Sequence, residues 1–415
     1  MESALITNDA VTFGILMAIL AGIFATSSSD NPFWKKFYTF VPALLLCYFI
    51  PSLLTTFGIV SEEGSNLYYM ASRYLLPASL VLLTLSIDLK GIINLGPKAV
   101  IMFLAGTISI MIGGPLALLI VGTISPEIVG GTGADEVWRG LATVAGSWIG
   151  GGANQTAMLE VFEPSADLFG AMVTVDIIVA NIWLAFLLYG AGISDRVDAW
   201  FKADSSAITE LKNKVANYQA NIARVPTLTD LSKIAAVAFL LVALGHLAGD
   251  AIGPWVNENS PLLTRMSLNS SFFWIVIVAT TGGLILSFTN VRKLEGAGAS
   301  KVGSLFLYIL VMTIGMKMNI ASMLDAPGYF VIGAVWILVH VSVLLLVGKI
   351  IKAPFFFVAV GSQANVGGAA SAPIVASAFH PALAPVGVLL AVFGYALGTY
   401  GAWACALMMQ AISGM

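Results

Sequence analysis

The chain has 415 residues, 58% of them hydrophobic and 10% charged, with a net charge of −3 and a mean hydropathy of +0.93. Soluble domains carry roughly 25% charged residues, so this chain lacks the polar surface to face water on all sides. Long apolar runs must then satisfy their backbone amides internally, which selects membrane helices. No long basic run offers an electrostatic footprint for nucleic acid.

Apolar tracts cover 11–25, 37–59, 67–87, 100–124, 138–158 and 168–189, then 233–247, 272–288, 302–316, 329–347, 355–379 and 383–409. They predict an all-α polytopic membrane protein of about twelve spans, each needing ~20 residues. Only Glu2 and Asp9 are charged before the first tract; a cleaved signal peptide would begin with positive charge, so this tract reads as a retained helix. Cys47 and Cys405 lie in apolar tracts and read as small hydrophobes. The polar segment 193–232, with Arg196, Lys202, Lys212, Lys214 and Arg224 among acids, reads as a linker, with 207–223 able to form a surface helix. The chain divides into a first transmembrane repeat over 1–192, the linker, and a second repeat over 233–415.

The repeat rests on two glycine-rich stretches. Gly146-Ser147-Trp148-Ile149-Gly150-Gly151-Gly152-Ala153-Asn154-Gln155-Thr156-Ala157 aligns without gaps to Gly361-Ser362-Gln363-Ala364-Asn365-Val366-Gly367-Gly368-Ala369-Ala370-Ser371-Ala372, with four identities. Upstream, 83–90 lies against 312–319 in the same order of parts, which indicates a duplicated transporter-like architecture, inverted if the basic loops named next share one face. The loops bearing Lys35, Lys36, Lys90, Lys98, Arg292, Lys293, Lys301, Lys349 and Lys352 share one face under the positive-inside rule only if an odd number of crossings separates 124 from 290. Four tracts lie between those positions, a conflict that hydropathy leaves open.

Each glycine inside a helix is unfavourable by ~1 kcal/mol against alanine, so the two stretches read as helix breaks. Their freed carbonyls and side-chain oxygens would bind a cation, and half-helix N-termini would face an anion. Ser147, Asn154, Gln155 and Thr156 form one candidate cluster; Ser362, Gln363, Asn365 and Ser371 form the other. The alternative is close packing of small residues with amides bonded across helices. Asp176 stands about a third of the way along an apolar tract, where an ionisable group is a candidate proton or sodium carrier. Asn181, five residues on, points elsewhere around an ideal helix. Thr84, Asp88, Thr313 and Lys317 occupy matching positions as accessory candidates, Asp88 and Lys317 reading also as interfacial anchors. Arg73 suits a carboxylate or a lipid headgroup, and His340 reads as a hydrogen-bonded buried histidine. Three dispersed histidines and two cysteines give no zinc spacing, and no Walker loop, dinucleotide fingerprint or Ser-His-Asp set is present. No catalytic residue and no cofactor are expected beyond Na+ or H+ as a coupling ion at these same residues.

The run 147–157, with Leu75-Leu76-Pro77-Ala78 and Thr84-Leu85-Ser86-Ile87-Asp88 upstream, resembles the YjcL-like membrane family of bacteria and plastids over nearly the whole chain. That family is distantly similar to the superfamily of bile acid/sodium symporters and cation/proton antiporters. The resemblance implies inverted repeats, a panel domain, and a core transport domain with two crossing broken helices at 147–158 and 361–373. The second cluster lacks the glutamate that the symporters place there, and no acid pairs with Asp176 as in the antiporters. The expected function is ion-coupled symport, by Na+ or H+, of a small organic anion in a multi-pass bacterial inner membrane. Alternatives are a monovalent cation/proton antiporter, and a scaffold or membrane-embedded enzyme. Expected partners are the solute or ion and the bilayer, with a homodimer left open.

Overall fold

The computed structural model describes residues 4–41, 43–61, 65–203, 208, 225–266, 268–317, 327–380 and 383–413. Half of the 193–232 linker, including all of its expected surface helix at 207–223 except residue 208, lies outside them. Among the described residues the chain is all α-helical; an isolated bridge between Ile6 and Val60 is the one β-type pairing. Its main helices are α1 (Asp9–Ser27), α2 (Ala43–Thr56), α3 (Leu76–Leu85), α4 (Pro97–Ile124), α5 (Val137–Gly150), α6 (Gly152–Phe162) and α7 (Ala166–Gly192). After the linker come α8 (Leu228–Asn259), α9 (Ser271–Ser287), α10 (Ala299–Gly315), α11 (Gly328–Ile350), α12 (Phe355–Val366), α13 (Gly368–Phe379) and α14 (Ala384–Ser413). A turn Leu67–Met70 and a π-helical turn Ala71–Leu75 lead into α3. Among the described residues six helices are long and apolar enough to cross a membrane, or up to eight if two bent pairs each count as one span. The chain is thus an integral, multi-pass membrane protein.

Contacts between loops locate the two ends of the bundle. At one end Lys98 Nζ donates to Lys352 O at 2.9 Å, and Ser86 Oγ donates to Glu295 at 2.5 Å. At the other, Lys317 lies 3.9 Å over the Tyr68 ring, and Tyr68 and Arg73 both bond Glu160. Following the chain between these marks, ten helical segments join the two ends among the described residues: α1, α2, the helix through Leu85, α4, α7, α8, α9, α10, α11 and α14.

The two glycine-broken segments do not cross, which corrects the expectation of crossing helices. α5 and α6 fold back on each other: Arg139 Nη1 donates to Phe162 O at 2.8 Å, and Ser165 N donates to Ala134 O at 2.9 Å. Gly151, with φ 72°, makes the reversal in a region that favours glycine. The limbs approach closely because Gly146 has no side chain; a Cβ there would meet Asn154 O at 2.5 Å. α12 and α13 form the second hairpin, with Phe355 and Phe356 ring centroids 6.1 and 5.3 Å from that of Phe379 and Gln363 opposite Ser371. Re-entrant backbone at membrane depth is tolerated because protein surrounds it; nearly all of α5 and all of α12 are buried.

This geometry resolves the lysine conflict. Among the described residues between 124 and 290, α7, α8 and α9 cross, an odd number, which puts Lys35, Lys36, Lys98, Arg292, Lys293, Lys301, Lys349 and Lys352 at one end, as expected of a cytoplasmic face. Span, hairpin, span occurs in α4–α7 and again in α11–α14, starting from opposite ends.

Packing separates two bodies, each drawing on both halves of the chain. α1, α2, α3, α8, α9 and α10 pack chiefly among themselves, as do α4–α7 with α11–α14. Tyr48 Oη to Gln155 Oε1 (3.4 Å), Thr281 Oγ1 with Tyr400 Oη (2.6 Å) and the Arg73–Glu160 pair are among the contacts that join them.

Candidate functional site

The hairpins enter from opposite ends and their tips meet inside the second body, where a Cβ built on Gly368 would lie 3.7 Å from Gly151 Cα. Beside the tips, between the two bodies, is a cavity of about 370 Å3. Ser147, Gly151, Gly152, Asp176, Asn181, Gln363, Gly367, Gly368, Ser371 and Tyr395 line one wall; Leu44, Ser304, Leu307 and Tyr308 line the other.

Asp176 is 6% exposed and is the carboxylate of this lining. Its Oδ1 accepts from Trp148 Nε1 at 2.6 Å and its Oδ2 from Gln155 Nε2 at 2.9 Å, and Ser147 lines the same wall. Hairpin 1 therefore holds the carboxylate through these two donors, which is how an ionised group is kept at depth. Trp148 and Tyr48, the second of which reaches Gln155, carried no polar-cluster signal in the sequence. Asn181 also lines the cavity, with its Nδ2 donating to Ile177 O at 2.7 Å.

Of the nine primary candidates, Ser147, Asp176, Gln363 and Ser371 line the cavity, and Gln155 stands behind Asp176. The remaining four lie outside the lining. Asn154 and Asn365 are matching clamps. Asn154 Nδ2 donates to Gly150 O and Tyr395 O, both at 3.0 Å, and its Oδ1 accepts from Thr399 at 2.6 Å. Asn365 Nδ2 donates to Gly361 O and Phe103 O at 2.9 and 3.0 Å, and its Oδ1 accepts from Thr107 at 2.8 Å. Each amide thus ties a hairpin to a carbonyl and a threonine one turn apart on a long helix. Among the described residues Thr156 bonds back into its own hairpin, at Gly152 O and Ala153 O.

Ser362 belongs to a sealed chain of hydrogen bonds. Ser109 Oγ donates to Gly106 O, so it accepts from His340 Nδ1–H (2.7 Å), leaving Nε2 to accept from Ser362 Oγ (2.8 Å), which itself accepts from Trp183 Nε1 (2.8 Å). Every group is satisfied with neutral imidazole, so His340 is the buried histidine expected.

The accessory candidates are scattered. Thr84 and Thr313 bond carbonyls of their own helices, Leu80 O and Leu310 O. Asp88 accepts from Gly91 N and pairs with Arg292, whereas Lys317 sits at the opposite end over Tyr68. Arg73, on the π-helical turn, pairs with Glu160 and lies 4.6 Å over the Phe272 ring. Glu160, 7% exposed, closes the space between hairpin 1 and the other body at this end. A second cavity of about 510 Å3 lies against Arg73 and Arg139, whose guanidinium groups already face Glu160 and Glu136.

Residues 14–412 match the family described as Protein of unknown function (DUF819), and the chain belongs to that family. It is also 24% identical, over 360 residues, to the "Uncharacterized membrane protein YjcL" of Bacillus subtilis (strain 168), a match covering 84% of this chain and 85% of that protein.

Proposed function

We propose that this member of the DUF819 membrane family is a secondary active transporter: an ion-coupled symporter, by Na+ or H+, of a small organic anion. One observation carries the reading. Two re-entrant hairpins meet tip to tip at a cavity that contains a hydrogen-bonded carboxylate and lies between two separately packed bodies. Such an arrangement supplies what alternating access needs, a fixed polar site at mid-depth and a surface along which one body can shift past the other. The inverted reading of the two halves is supported by the opposite directions in which α4–α7 and α11–α14 run.

Asp176 is the coupling-ion carrier in this reading, with Ser147 as a neighbouring oxygen. The cavity size favours symport over cation/proton antiport, since ~370 Å3 is many times the ~30 Å3 that one water occupies. The chain moves its solute without transforming it, and the bilayer is its working environment. Purified protein in sealed liposomes should take up a carboxylate from a panel of small organic acids only when an inward Na+ or H+ gradient is imposed. Equal uptake with and without either gradient, across the panel, would remove ion coupling.

A further inference from the structure

The cavity at the hairpin tips extends toward one end of the bundle. α7 starts at the end marked by Glu160 and lines the cavity with Asp176, Ile177, Ala180, Asn181 and Leu184, on turns leading away from that end. α10 runs from the basic end and lines it with Ser304, Leu307 and Tyr308, from its start and middle. Leu44, at the basic-end start of α2, completes this wall. The cavity therefore runs from mid-depth toward the end that holds Lys98 and Lys352.

The opposite end has a separate cavity of about 510 Å3, lined by Arg73, His246 and Phe272 of one body and by Arg139, Val161 and Glu163 at the base of hairpin 1. α6 links the two cavities. Its Gly152 lines the inner one and its Val161 the outer, about 13 Å apart along a helix rising 1.5 Å per residue.

Along that stretch two layers of hydrogen bonds join the bodies. Nearer the tips, Tyr48 Oη donates to Gln155 Oε1 at 3.4 Å. Further out, Tyr68 Oη and Arg73 Nη1 both donate to Glu160, which is 7% exposed. Arg73 is itself fixed by its own body: His246 Nε2 donates to its carbonyl oxygen at 3.0 Å, and its guanidinium lies 4.6 Å over the Phe272 ring. An ion pair suits a contact that must part and re-form. Desolvating two charges costs about as much as their attraction returns, so the shut and parted states lie close in free energy. Parting an apolar contact would instead expose surface at ~25 cal/mol per Å2.

Resting on the transport reading above, we propose that Glu160, Arg73 and Tyr68 form the outer gate of the pathway, and that the structure is the state open toward the basic, cytoplasmic end. Movement of hairpin 1 with its body away from Arg73 and Tyr68 joins the two cavities past Gln155 and exposes Asp176 to the outer face. Both ions then meet the water of the outer cavity, which Arg73 already lines.

The test places Ala180→Cys, on the cavity wall, in the full-length protein in sealed vesicles of known orientation. A membrane-impermeant maleimide is added at the face away from the basic loops, and the labelling rate is read. Glu160→Gln keeps the shape and drops the charge; it should raise that rate by ~10-fold or more, as expected for weakening hydrogen bonds to a charged group. Tyr68→Phe removes one of the two donors and little packing, and should raise it by ~3-fold or more. Glu136→Gln is the control: it breaks the Arg139–Glu136 pair at the same end but inside one body, and should leave the rate within about twofold of the Ala180→Cys parent.

An outer-face rate unchanged in Glu160→Gln, or in Tyr68→Phe where Glu160→Gln does not fold, would overturn the gate, as would an equal rise in Glu136→Gln. Gradient-driven uptake by the wild type would stand in each case. A raised rate in the gate variants, with no gradient-driven uptake by the wild type, would keep the gate and remove ion-coupled transport.

Discussion

Asp176→Asn should lower gradient-driven uptake by roughly 100-fold or more, in protein that still purifies as a folded species. The side chain accepts from Trp148 and Gln155, both on hairpin 1. An asparagine keeps the shape but turns one acceptor into a donor, which then faces one of those donors. It also removes the one formal negative charge of the cavity lining among the described residues, so neither Na+ nor H+ has a carboxylate to bind there. A hundredfold loss corresponds to about 2.7 kcal/mol, comparable with losing a hydrogen bond to a charged group at a buried site. The check pairs liposome uptake with size-exclusion and melting data on the same preparation. Wild-type flux with unchanged ion dependence would remove Asp176 as the carrier.

Gly150→Ala should be the more damaging change to the fold, although it adds one methyl group. Its Cβ would lie 2.2 Å from Asn154 Nδ2, 2.7 Å from Gly394 O and 2.7 Å from Gly398 Cα. The last two are backbone atoms of α14 and cannot rotate away. The first belongs to the amide that fastens hairpin 1 to Tyr395 and Thr399 of that helix. Overpacking of this kind costs about 1–3 kcal/mol, and displacing the Asn154 clamp adds to it. Gly152→Ala is the internal control, since its nearest neighbour would be Leu307 Cδ2 at 3.7 Å; it should stay within ~0.5 kcal/mol of wild type. Equal melting temperatures for the two variants would show that contact between hairpin 1 and α14 does not limit stability.

Hydropathy located the apolar tracts but not the two reversals. A hairpin limb enclosed by protein is as apolar as a membrane-facing helix, and the change of direction depends on Gly151 and its positive φ. The lysine distribution pointed to a missing or extra crossing, because it asked for an odd number; it did not say which segment was responsible, and a tract that folds back supplies the odd number. Within the site, Asp176 was legible as a charge in an apolar run, and Gln363 and Ser371 as polar side chains at a glycine break. Asn154 and Asn365 carried the same signal and turned out to be clamps, since residue type does not say whether an amide meets a cavity or a neighbouring helix. Glu160 fell just beyond the end of its tract, and Ser304, Tyr308 and Tyr48 come from the other body, so spacing along the chain could not link them to the tips.

The central claim is that the hairpin-tip cavity opens in turn to both ends of the bundle. Ala180 lines that cavity and has no polar role there, and the native Cys47 and Cys405 are buried. Ala180→Cys can therefore be labelled with a membrane-impermeant thiol reagent in sealed vesicles of each orientation. The account predicts labelling from either face, in a ratio that shifts when the coupling-ion gradient is reversed. Labelling from one face alone under every gradient would contradict it.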